Sequence, residues 1–215
     1  MSTATTLLAY PRRRDDWAVG LAIGGVCLAL AALVVPLIVV YGYLVRVARS
    51  VMAGQTTPPS FADPVDLLAD GVRGLIIGFA YLLVPLLIGG LTIGGAVRAL
   101  LTGGEVGQVI GFWTLFLGGF LTILVTIAFG YLAAGGILAY ARHGNLIRAF
   151  DPRIVSPIVR SAEVAIAYAA MIVLASVGFA VTAVPVIGWL LGPFALWYML
   201  IVGMALLAGA VPDGR

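Results

Sequence analysis

The sequence predicts an all-α fold: a polytopic membrane helix bundle of about five transmembrane helices, with two amphipathic elbows at the membrane interface. Composition is the first reason. The chain is 62% hydrophobic and only 10% charged, with a mean hydropathy of +1.15, too little polar surface to keep a soluble domain dispersed. The second reason is four long runs without charge: 17–45, 74–97, 106–141 and 164–212. Each exceeds the roughly 20 residues that a membrane helix needs. The third is where the charges fall, in short polar stretches between these runs.

The N-terminus carries Arg12, Arg13 and Arg14 followed by Asp15 and Asp16. The apolar run behind them is too long for the core of a cleaved signal peptide, and acids are out of place there. Residues 17 to about 41 are therefore expected to form a retained first span. The second run gives a span near 74–97 and the third a span near 108–134. As one straight helix, the 36 residues of the third run would measure about 54 Å against a hydrocarbon core of about 30 Å. It must tilt and project, or change character at Gly135–Gly136; a hairpin within it would bring the count to six. The fourth run fits two spans, near 162–184 and 188–210. Pro185-Val186-Ile187-Gly188 is the break, since proline removes a donor and glycine loosens the backbone.

The first elbow reads GYLVRVARSVMAGQTTPPSFADPVDLLADG, residues 42–71. Leu44, Val47, Ala48, Val51 and Met52 recur at helical spacing, with Arg46 and Arg49 on the other side. This pattern predicts an interfacial amphipathic turn whose arginines snorkel to lipid headgroups. Pro58-Pro59 ends it. Asp63, with Pro64 behind it and Asp66 in the first turn, is the expected N-cap of a second surface helix. Asp66, Asp70 and Arg73 follow at i,i+4 and i,i+3, so an Asp70–Arg73 ion pair accounts for the charges.

A second elbow repeats the layout. GGILAYAR (135–142) is similar to GYLVRVAR (42–49), and FDP (150–152) to FADP (61–64). Arg142, His143, Arg148, Arg153 and Arg160 carry the charge, and either Asp151-Pro152 or Ser156-Pro157 caps the next helix. The chain thus reads as one membrane domain over 1–215. Its halves, 17–97 and 108–184, are related by duplication, with an extra helix at 188–210; coincidence among common membrane residues is the competing explanation. Parallel halves put both elbows on one side, and the positive-inside rule makes that side cytoplasmic. An odd number of spans then separates Arg12–Arg14 from the elbows, so the rule conflicts with itself.

YPRRRDDW (10–17), the GYLVRVAR…PPSFADPVDLLADG stretch and YAR…AFD (140–151) together resemble the domain of unknown function 4013 family over nearly the whole chain. The resemblance implies a multi-pass archaeal membrane protein. It brings no activity, substrate or cofactor. At Ala62-Asp63-Pro64 the sequence departs from the acidic or aromatic-rich segment expected of the family.

Chemistry is sparse. One histidine and one cysteine lie in different segments, so the chain alone is not expected to build a zinc or haem site. All 12 basic residues are arginine, and the net charge of +3 is spread too thinly for a nucleic-acid surface. No phosphate loop or nucleophile elbow is present. The span interiors carry no ionisable group of the kind proton-coupled transporters use. Their threonines are expected to bond their own helix backbones. Gly74/Gly78 and Gly90/Gly94 are small-xxx-small pairs, suited to packing within the bundle or to a homo-oligomer. The reading is a non-enzymatic membrane protein in the cell membrane, without cofactor or metal. It is a scaffold or a subunit that binds lipid or a protein partner. The alternative is a transporter for an apolar or lipid-like solute.

Overall fold

The computed structural model describes residues 8–212 of the chain. Helices make up most of these residues, and no strand occurs among them. The order is α1 (Trp17–Ala29), α2 (Val34–Met52), α3 (Pro64–Thr102), α4 (Gly104–Trp113), a π-helical turn (Thr114–Gly118), α5 (Gly119–His143), α6 (Pro152–Val159), α7 (Ala162–Ala180) and α8 (Ile187–Gly209). Five segments are long and apolar enough to cross a membrane: Val34–Met52, Pro64–Thr102, Gly104–His143, Ala162–Ala183 and Ile187–Gly209. The described chain divides into two compact units. One joins the residues up to Ile77 with those from Gly135 onward; the other is Gly78–Ala134.

The first span is not where the sequence reading put it. The first apolar run breaks between Ala29 and Val34, so that α1 has 13 residues and α2 has 19. Pro36 supplies the physical reason. In an uninterrupted helix its ring would collide with the carbonyl of Ala32, and it has no N–H to donate. In the first turn of α2 neither matters, because those N–H groups have no intrahelical partner. At about 20 Å, α1 is too short for a core of about 30 Å. It folds back on α2 as a hairpin. Arg13 donates to the Thr56 carbonyl at 3.1 Å and Tyr10 to the Thr57 carbonyl at 3.4 Å. Burial pushes the Tyr10 phenol up to about 12, so it stays a donor at any ordinary pH. The arginine triplet therefore lies beside the first elbow, on the same side, and the conflict over charge disappears.

The stretch 42–52 is also corrected. It is the second half of the spanning helix α2, and Gly42, Tyr43, Leu44, Val45, Val47, Ala48 and Ser50 are buried. The expected surface helix after Asp63 does not stand alone either. It is the start of α3, which runs unbroken for 39 residues, about 58 Å. Nor does the third run change character at Gly135: α5 passes through it to His143. Pro185 lies in the turn between α7 and α8, as the sequence indicates, with Val186 at φ 64°, and Gly188 is the second residue of α8.

In the larger unit each elbow packs on a glycine. A Cβ at Gly42 would overlap the Leu67 carbonyl oxygen and crowd the Gly71 nitrogen, so α2 and α3 meet backbone to backbone. In the second elbow a Cβ on Gly135 would overlap the Val159 side chain of α6, a side-chain contact and not a backbone one. Gly74 packs on Val45 and Tyr41, and Gly78 is buried. In contrast, Gly90 and Gly94 have nothing within 4 Å of such a Cβ, so they are not packing positions within the described chain.

Two outcomes are expected. Gly42→Val forces α2 and α3 apart and costs more than about 2 kcal/mol, read as lost monodisperse protein and a lowered Tm in detergent, while Gly90→Ala leaves both unchanged. On a Cys27→Ala background, Asp15→Cys and Arg153→Cys react with a membrane-impermeant thiol reagent from the same side, and Thr102→Cys from the other.

Candidate functional site

Residues 66, 69, 70 and 73 recur at helical spacing, so the first turns of α3 present Asp66, Asp70 and Arg73 on one face. Asp70 is the buried member, 6% exposed. Its carboxylate receives both arms of the Arg49 guanidinium from α2, at 2.9 and 3.1 Å. The Tyr140 hydroxyl of α5 donates to Oδ1 at 2.6 Å. Arg73 Nη1 in turn donates to the Tyr140 oxygen at 3.2 Å. One carboxylate thus ties α2, α3 and α5 together. The expected Asp70–Arg73 ion pair is not what forms. The planar fork of Arg49 matches both carboxylate oxygens, and Arg73, exposed, reaches only the outer side of the network.

The network forms the floor of an open cleft of about 290 Å³, whose walls include Arg46, Asp66, Arg73 and Gly144. Arg46 also has an internal task. Its guanidinium donates to the carbonyls of Ala62 at 2.6 Å, Asp63 at 2.9 Å and Ser60 at 3.4 Å. These bonds hold Asp63 at φ 57°, a left-handed conformation that costs a non-glycine residue about 1–3 kcal/mol. The Asp63 carbonyl accepts the Leu67 N–H at 3.0 Å, which starts α3. Arg46 and Arg49 are therefore both anchored within the protein, Arg46 on three backbone carbonyls and Arg49 on Asp70. The same elbow is held from below, where Tyr43 stacks on Phe61 at 4.4 Å and donates to the Pro59 carbonyl at 3.2 Å.

The second elbow holds the other candidates. Asp151 accepts the Arg153 N–H at 2.9 Å and so caps α6; Ser156 and Pro157 lie inside that helix. Arg142 donates to the Pro212 carbonyl at 3.1 Å, beside the C-terminal end of α8. Arg148 donates to His143 Nδ1 at 3.1 Å. Arg153 and Arg160 are exposed. Among the described residues, no group of three His, Cys, Asp or Glu side chains is placed to hold a metal ion. Ten of the eleven arginines in the described range belong to the elbow end of the larger unit; Arg98, far along α3, is the exception. Sequence reasoning missed Tyr140 because it looks like one more interfacial aromatic. Its only signal is spacing: two positions before Arg142, it belongs to the last turns of α5.

The family of proteins of unknown function DUF4013 matches the chain over residues 26–192. The chain belongs to that family. The match takes in the last turn of α1, all of α2, the Asp70 junction and both elbows. No curated protein and no solved structure matches it.

Asp70→Ala leaves Arg49 without its carboxylate and costs about 2 kcal/mol, less than a fully buried pair because the arginine is partly solvated. Tyr140→Phe costs about 1 kcal/mol. The Arg49→Ala/Asp70→Ala cycle, measured by unfolding in detergent, shows strong non-additivity.

Proposed function

We propose that the protein is a non-catalytic subunit of the cell membrane, seated with its elbow end on the anionic headgroups of the cytoplasmic leaflet, where it binds lipid and presents a surface to a partner. The gathering of ten arginines from both elbows and the N-terminal segment at one end carries this reading. Juxtamembrane arginines each contribute about 1 kcal/mol of attraction to an anionic surface and set orientation by the positive-inside rule. Three of the carboxylates near them have other work. Asp70 is paired with Arg49, Asp16 with Arg14, and Asp151 caps α6.

The transporter alternative draws less support. It relies on polar groups at depth, and the hydroxyls of Thr114, Thr122, Thr126 and Thr182 donate to carbonyls of their own helices at 2.6–2.8 Å. Extraction of the tagged protein in mild detergent, followed by mass spectrometry of proteins and lipids, tests the choice. Enrichment of anionic phospholipid, with or without a stoichiometric partner, is the expected result. A preparation carrying neutral lipid in the proportion of the bulk membrane overturns the proposal.

A further inference from the structure

We infer that the cleft over Asp70 is a discrete site for the phosphate of a lipid headgroup, distinct from the general attraction of the arginine collar; this rests on the reading of the elbow end just given. Asp70 is neutralised by the two-armed Arg49 contact and so presents no net repulsion to an anion. Arg46 and Arg73 flank the same cleft, and among the described residues neither lies in an ion pair with a carboxylate. Their charges are therefore available to a ligand.

Position gives the second strand. Arg46 is fixed by three carbonyls, and Arg73 by Tyr140. Arginines already held in place lose less side-chain freedom on binding than solvated ones, which favours a phosphate. The cleft is also open, at about 290 Å³, and it sits where α2 and α5 end and α3 begins. That is the level of the chain at which charged residues give way to the apolar run from Gly74, a boundary that suits a headgroup phosphate. Asp66 on the rim adds a selectivity element. It repels a second negative charge and accepts a hydrogen-bond donor, so the site suits a phosphodiester carrying a hydroxyl or amine, such as a glycerol or ethanolamine headgroup, over a phosphomonoester.

The test compares two arginines by native mass spectrometry of the full chain in detergent, titrated with phosphatidylglycerol, phosphatidylethanolamine, phosphatidylcholine and phosphatidic acid. Arg73→Gln is set against Arg153→Gln, an exposed arginine of α6 that does not line the cleft; unchanged Tm values confirm that both fold. One tightly bound lipid per chain is expected, with phosphatidylglycerol or phosphatidylethanolamine above phosphatidylcholine. Arg73→Gln weakens it more than about tenfold, as loss of a charge-assisted bond does, and Arg153→Gln less than about fivefold, as loss of one collar charge does. Asp66→Asn narrows the preference against phosphatidic acid. Equal losses in the two arginine variants overturn the discrete site and leave the collar standing. Absence of any preference for anionic lipid overturns the collar as well. Displacement of the lipid by inorganic phosphate at stoichiometric levels overturns a lipid site in favour of a free-anion site.

Discussion

A charged group within reach of a bilayer must find a partner, and at Asp70 that requirement organises the larger unit. The carboxylate cannot be left unpaired without a cost of several kcal/mol. Arg49 and Tyr140 satisfy it from two other helices. That fixes the ends of α2 and α5 against the start of α3. Hydrophobic burial cannot do the same job, because lipid chains compete for apolar surface as well as other helices do. Directional polar contacts and close backbone approach are left, and the structure uses both: the Asp70 junction above, and Gly42 against the Leu67 carbonyl below.

From this junction the elbow follows. Arg46 is one turn from Arg49 on α2, so once α2 is seated its guanidinium faces the returning chain. It gathers the carbonyls of residues 60, 62 and 63, which would otherwise be costly to leave near lipid. The strained Asp63 is thereby held, and α3 begins on register. Tyr43 serves the same segment through Phe61 and Pro59. The elbow is thus a packed part of the bundle, built from the arginines that first look like lipid anchors. Arg73, Arg153 and Arg160 lie at the outer surface.

The N-terminal hairpin matters for the same electrostatic reason. With α1 folded back on α2, the N-terminal segment meets the first elbow through Arg13 on the Thr56 carbonyl and Tyr10 on the Thr57 carbonyl. Positive charge then accumulates on one side. A single span over 17–41 would have divided it. An apolar run of 29 residues says nothing by itself about how often the chain turns within it.

Composition and run length alone determined that this is an all-α membrane protein with five helices able to span. Backbone groups in lipid must be satisfied within the segment, and only apolar helices of sufficient length do that. The break at Pro185–Gly188, the Asp151 cap and the glycine-led elbows were legible for similar local reasons. Other features were decided only by tertiary structure. Pro36 falls in the first turn of a helix while Pro85 and Pro193 lie inside α3 and α8, so a proline within an apolar run does not by itself say whether the helix breaks there. Asp70 takes Arg49, 21 residues away, over Arg73, three residues away. Spacing along one helix gives the pairs that can form; which one does form depends on the fork that the neighbouring helix brings to a buried carboxylate.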